Sequence, residues 1–302
     1  MAARVRSREA LTGYLFVLPA VALFAVMGVY TVGYGLLLSF ARWNGFSPKW
    51  TWVGFGNYLD LIYNDPAIAP LVQGAALRTL VVMIGVPLLT VLIGFPLAVA
   101  LNRITWLRSV FRTVYFLPNV TAGIALFYAW TYALQPEGSI NFILRSLGLG
   151  SLAQPQGWLG NPATALPTLI VVMSWSAVPV AMVLYLTGLQ AIDQSLIDAA
   201  RVDGAGGLRT MTKIIWPLLL PITGAVIMLN VRDAMQGFQI FLLMTNGGPG
   251  GHTLVLGLES YNLAFVNAGR PTLGQSSALG WLMFVVALLL AWGNLRVLRS
   301  RT

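Results

Sequence analysis

AIDQSLIDAARVDGAGGLRTMTKIIWP, residues Ala191 to Pro217, is a polar interruption in a largely apolar chain. It carries three of the nine acids (Asp193, Asp198, Asp203), two arginines (Arg201, Arg209) and one of only two lysines, Lys213. Apolar runs of membrane length flank it on both sides, so it must sit in water at one membrane face. Asp198, Ala199 and Ala200 open a run of helix formers, Gly204, Gly206 and Gly207 break that run, and a second helical run leads through Ile214 to Pro217. The pattern predicts a helix, a glycine turn and a helix held against the membrane, a shape suited to being gripped by another molecule.

Working outward, the composition fixes the class. The 302 residues are 57% hydrophobic and 9% charged, against about 25% charged for a soluble domain. So few charges cannot cover a soluble surface, and the chain reads as all-α, a polytopic membrane protein in the lipid bilayer. The net charge of +9 would suggest nucleic acid in a soluble protein; here the excess is arginine at span ends, and no nucleic acid is expected. With no cysteine, thiol chemistry and disulfides are excluded.

Spans of about 20 apolar residues are predicted at 11–40, 74–101, 113–134, 165–189, 216–244 and 273–295, with the polar loop at 191–215, all within one domain of residues 1–302. The first apolar stretch is longer than the ~7–15 residues of a signal peptide core and reads as an uncleaved span. Residues 41–72 read as a loop whose tryptophans suit a membrane interface, and a glycine-rich break after Met244 opens a loop to about Pro271. Six spans put both termini on one side. Twelve of the 18 basic residues fall on that side, four on the other, and Arg78 and Arg232 fall inside spans. Positive residues mark the cytoplasm, so the termini and the 191–215 loop are expected there, in a bacterial-type inner membrane.

The spacing Asp198-Ala199-Ala200, three residues, Gly204, nine residues, Ile214, one residue, Trp216-Pro217 resembles the EAA loop of ABC importer permeases, in the sugar and glycerol-phosphate branch related to the maltose permease. Asp198 stands where that family usually has Glu, and Trp216 where it usually has Leu. The likeness extends along the chain through Leu117-Pro118, Gln135-Pro136-Glu137-Gly138, Trp158-Leu159-Gly160-Asn161-Pro162 and Thr245 to Pro249. It implies six spans with cytoplasmic coupling helices, a second homologous permease subunit, two ATPase subunits and an extracytoplasmic solute-binding protein. It also implies that Asp198, Ala199, Ala200, Asp203, Gly204, Ile214 and Pro217 belong to the ATPase-coupling loop.

The chain shows no power source of its own. A P-loop needs a lysine after glycine to reach the phosphates, and neither Lys49 nor Lys213 follows Gly. No cofactor is expected in this chain; ATP and Mg would be bound by the partner ATPase. His252 is the sole histidine, so no imidazole-based metal cluster is expected, and no catalytic set is visible; the chain reads as no enzyme.

Span five carries Asn230, Arg232, Asp233, Gln236 and Gln239 near its centre, where polar groups are costly and mark function. At helical spacing Asn230, Asp233 and Gly237 share one face and Arg232, Gln236 and Gln239 another. One face can line a solute path and the other bind a neighbouring subunit; a buried hydrogen-bond network is the competing reading. The resemblance places substrate contacts near Asn119 and Gly123, near Met173, Ser176, Ala177 and Val180, and near Asn230, Asp233, Ala234 and Gly237. The functional expectation is the permease subunit of an ATP-driven importer for a sugar or related polar solute, working by alternating access. The alternative is a stand-alone secondary transporter or channel using the span-five charges for ion coupling.

Overall fold

The computed structural model describes residues 2–103, 123–266 and 272–299. The chain divides into two compact units, Met1–Ala69 with Ser260–Leu282, and Pro70–Glu259 with Met283–Thr302.

The first unit opens with α1 (Ala2–Phe24), a π-helical stretch Ala25–Tyr30 and α2 (Thr31–Ser39). Gly13–Ser39 is long and apolar enough to cross a membrane, and none of that window is buried within the chain. Side chains such as Phe16, Phe24 and Met27 therefore point outward, as a lipid-facing helix requires. Residues 41–72, expected as a loop, instead carry folded elements. Strands β1 (Ala41–Arg42) and β2 (Thr51–Trp52) pair antiparallel, and α3 (Gly56–Leu59) follows. The fully buried Asn57 holds this region together, donating through Nδ2 to the carbonyls of Ser39 at 2.9 Å and Ala41 at 2.8 Å. Phe40 gathers Trp52, Phe55 and Tyr58 around its ring.

The second unit is built on α4 (Ala69–Arg103) and α7 (Pro162–Ala191), both longer than the 74–101 and 165–189 expected. Asn161 caps α7, its side chain accepting from the Ala163 amide at 2.9 Å, with Pro162 at the first helical position. Small residues bring the helices close: a Cβ at Gly85 would stand 3.0 Å from Ile170, and one at Gly94 would stand 3.2 Å from Ala181. Such contacts replace the hydrophobic drive that is missing in lipid. The core joins Phe95, Ala98 and Leu101 of α4 to Met182, Tyr185 and Leu186 of α7, with Leu219 and Val226.

Of the expected third span, only α5 (Gly123–Ala133) lies within the described residues. After it, α6 (Ser139–Ser146) is fastened by a fully buried Asn141. Asn141 donates to the carbonyls of Pro136 and Gln154, both at 2.9 Å, and accepts from the Gln154 amide and from Trp158 Nε1 at 3.0 Å.

The fifth span is the largest departure from expectation. Residues 216–244 do not form one helix. They form α10 (Trp216–Leu218), α11 (Leu220–Gln236) and α12 (Gln239–Met244), and the helical stretches Gly207–Leu218 and Leu220–Gln236 meet at 66°. Pro221 supplies the cause, since its ring excludes the carbonyl four residues back and it has no N–H to donate. The second break falls at Gly237. The stretch after Met244 is also not an open loop throughout, because α13 (Leu256–Tyr261) and a π-helical turn Asn262–Val266 occupy it. The last helix, α14, runs Leu273–Arg299. Among the described residues, four helices can cross a membrane by length and composition, with the bent pair as a possible fifth crossing.

Candidate functional site

The polar stretch at 191–217 folds as a helix, a turn and a helix. Asp193 caps α8 (Gln194–Val202), accepting from the Ser195 amide at 2.9 Å. That backbone hydrogen bond holds the Asp193 carboxyl below the usual aspartate range. At the other end Ala205 N–H donates to the Ala200 carbonyl at 2.9 Å and Gly204 N–H to that of Arg201 at 3.1 Å. This is a Schellman closure, and it needs the left-handed backbone that Gly204 adopts at φ +74°. The short α9 (Gly207–Thr210) and a π-helical turn Met211–Ile215 lead into α10.

Asp198, Ala199 and Asp203 are exposed on α8 or its end, whereas Ala200 is buried. Asp198 pairs with Arg201 at 3.2 Å and accepts from Gln194 Nε2 at 3.3 Å; such an exposed pair is worth about 0–1 kcal/mol. Val202 and Leu208, 87% and 73% exposed, put apolar surface beside these charges. That mixture on a water-facing loop suits a partner's groove. Ile214 is half-buried and Pro217 exposed. Between them, Trp216 sets its ring edge-on to Phe95 of α4, with centroids 4.8 Å apart, and Phe95 in turn meets Tyr185 of α7 at 5.5 Å. The loop is thus tied by edge-to-face ring contacts to the two helices of the core.

Along α7 and α11 lies a cavity of about 630 Å³. Met173, Ser176, Ala177 and Val180 line it from α7; Asn230, Asp233 and Gln236 line it from α11, followed by Gly237 and Gln239. Asn230 is largely committed to structure. It donates to the Val226 carbonyl at 2.8 Å and accepts from Thr90 Oγ1 at 3.4 Å. Ser176 donates to the Val172 carbonyl of its own helix at 3.1 Å, which leaves its oxygen lone pairs toward the cavity as acceptors. Asp233 is exposed to the cavity. Gly237 ends α11, donating to the Asp233 carbonyl at 2.7 Å, and a Cβ there would run into that carbonyl. Across α11, Arg232 lines a separate groove of about 470 Å³ with Phe284, Ala291 and Asn294 of α14.

The structure therefore brings Ser176, Ala177, Asn230, Asp233 and Gly237 onto one cavity. Gly123 does not line it, Ala234 is buried away from it at 1% exposure, and Asn119 lies outside the described residues. The expected grouping of Gln239 with Arg232 is corrected. The break at Gly237 and Phe238 interrupts the 100° step, so Gln239 joins Asp233 at the cavity, while Gln236 borders both spaces. Arg78, which falls inside the second predicted span, donates to the Leu254 carbonyl at 3.4 Å. Phe127 and Val86 also line the cavity. Nothing in the sequence separates them from the many other apolar side chains of their helices.

Residues 88–300 match the family described as binding-protein-dependent transport system inner membrane component. The trehalose/maltose transport system permease protein MalF of Thermococcus litoralis is 31% identical over 309 residues, covering 100% of this chain and 98% of the relative. The lactose transport system permease protein LacF of Rhizobium radiobacter is 29% identical over 294 residues, covering 96% and 94%. The fold is similar to that in the crystal structure of a bacterial ABC transporter involved in the import of the acidic polysaccharide alginate, with a TM-score of 0.77, 22% identity and 99% of both chains covered. On the family match and the full-length likeness together, this chain belongs to the binding-protein-dependent transport system inner membrane components, the permease subunits of ABC importers.

Proposed function

We propose that this chain forms part of the translocation path of an ABC importer for a sugar or related polar solute. A second homologous permease completes the path, two ATPase subunits bind ATP and Mg, and an extracytoplasmic binding protein delivers the solute. Both termini and the 191–217 loop face the cytoplasm, in keeping with the bias of basic residues. The observation that carries this reading is the packing of Trp216, at the end of the 191–217 loop, against Phe95 of α4 and through it against Tyr185 of α7, in the core beside the cavity. Movement of an ATPase against α8 would reach the cavity walls along that route, reorienting the helices between outward and inward access. The assignment to sugars rests on relatives named for trehalose/maltose and lactose transport, and on amide, hydroxyl and carboxylate groups set in an otherwise apolar cavity, the mixture that orients polar ligands.

Co-purification of the tagged chain from its native membrane tests the proposal. The wild type retains a P-loop ATPase and a second permease; a chain carrying Asp198→Lys and Gly204→Asp loses the ATPase. A chain that purifies alone and moves solute in liposomes without ATP would overturn it.

A further inference from the structure

The cavity contains one charged side chain among its described lining residues, Asp233. Its polar neighbours there are neutral: Ser176, Asn230, Gln236 and Gln239. No hydrogen bond or ion pair engages the Asp233 carboxylate among the described residues. Arg232, next in sequence, lines the groove on the far side of α11 and not the cavity. Two adjacent charges are thus delivered to two separate spaces, as the 100° step between neighbours on a helix requires. The positive side chain does not line the cavity, although its charge still acts on the neighbouring Asp233 carboxylate.

We infer that Asp233 sets the charge class of the transported solute: the cavity favours a polyhydroxyl solute bearing an amine and rejects one bearing a carboxylate. This deepens the reading of the cavity as the solute path and rests on it. A carboxylate exposed in a site lined mainly by apolar side chains attracts an ammonium group, though water that reaches it moderates the attraction. The same carboxylate repels an anionic sugar, and such like-charge placement is an effective means of rejection. The flanking amides of Gln236 and Gln239 can meet hydroxyl groups of either kind, so they supply affinity without selecting charge.

The test uses the intact importer complex in nanodiscs without its binding protein, whose own selectivity would otherwise mask that of the membrane site. Saturation-transfer NMR gives the dissociation constants of three matched probes: glucosamine, glucose and glucuronate. The wild type is expected to bind glucosamine at least about tenfold more tightly than glucuronate, with glucose between them. Asp233→Asn should bring the ratio to within about twofold, Asp233→Lys should invert it, and Asp233→Glu should preserve it. Retention of the partner subunits shows that each variant is folded. Ala177→Trp, which fills the cavity, separates the two levels of the argument. If it leaves all three signals intact, the cavity is not the solute site and both readings fall. If it abolishes them while Asp233→Asn leaves the ratio unchanged, the charge inference alone is overturned. Absence of glucosamine binding to the wild type, or glucuronate binding at least as tightly, also overturns it.

Discussion

Truncating Trp216 to alanine should uncouple transport from ATP hydrolysis without releasing the ATPase. The Trp216 ring is half-buried and meets Phe95 edge-on at 4.8 Å, and Phe95 meets Tyr185 at 5.5 Å. An aromatic pair of this kind is worth about 0.5–1.5 kcal/mol beyond burial. Burial itself adds less here than in a soluble core, because the surrounding lipid is as apolar as the ring. If the pair holds the loop to α4 during the transition between access states, its loss slows uptake by about two- to tenfold. Docking is unaffected, because the exposed face of α8 does not include Trp216. The assay is solute uptake and ATP hydrolysis measured together in proteoliposomes holding the complete importer. Trp216→Ala should lower uptake per ATP hydrolysed, and Trp216→Leu, which keeps most of the apolar volume, should largely restore it. Phe95→Ala should give the same defect, and the double variant should be little worse than either single one, since both changes remove one contact. Additive defects, or unchanged uptake in Trp216→Ala, would refute the idea that this contact transmits movement.

Further predictions concern the parts that hold the loop and its surroundings. Gly204→Ala meets no neighbouring atom but must adopt φ +74°, at a cost of about 1–2 kcal/mol; it should weaken ATPase retention on co-purification about tenfold, and Gly204→Asn should weaken it less. Asp193 caps α8 as a carboxylate with its pKa lowered by the Ser195 amide, so its contribution is full above the ordinary aspartate pKa and is lost as pH falls through the lowered one. Hydrogen-exchange protection at the start of α8, taken relative to the intrinsic exchange rate at each pH, should therefore fall in acid, and Asp193→Asn, which caps without titrating, should remove that dependence. Gly188→Val should lower the thermal midpoint of the detergent-solubilised importer by several degrees, because even a Cβ there collides with Ile222 and Leu219 and overpacking costs about 1–3 kcal/mol. Asn141→Ala leaves the Pro136 and Gln154 carbonyls and Trp158 Nε1 without their partner, costing about 1–3 kcal/mol for each group left unsatisfied; limited proteolysis should then cut between residues 135 and 160, which the wild type resists.

What the sequence reveals and what it hides have physical causes. Continuous apolar runs announce helices such as α4, α7 and α14, because a segment in hydrocarbon must satisfy its own backbone and so must be helical. The glycine turn at Gly204 is equally legible, since few other residues adopt its backbone without strain. The break of the fifth span is hidden because Leu218, Leu219 and Leu220 carry the apolar run straight through the bend. Pro221 marks the bend only in hindsight, since Pro87 and Pro179 lie within unbroken helices. Face assignments by helical spacing hold up to Gly237 and fail at Gln239, beyond the point where the helix ends. Asn57 and Asn141 escape notice because each acts on backbone carbonyls brought near by folding, and a lone asparagine carries no spacing signal. The residues of the 191–217 loop stand out because they are polar in an apolar chain; Phe127 and Val86 at the cavity do not.

The central claim is that nucleotide binding by a partner, acting through the 191–217 loop, switches the side from which the cavity is reached. The chain has no cysteine, so Ala177→Cys places a single thiol on the cavity wall. Its reaction with a membrane-impermeant maleimide can be followed on this chain alone, in the complete importer, from each side of oriented vesicles. The account predicts labelling from the cytoplasmic side without nucleotide, and a switch to the opposite side with a nonhydrolysable ATP analogue. It also predicts that the switch disappears when Asp198→Lys and Gly204→Asp are introduced. Labelling that ignores nucleotide, or that switches as fully in the loop variant, would contradict it.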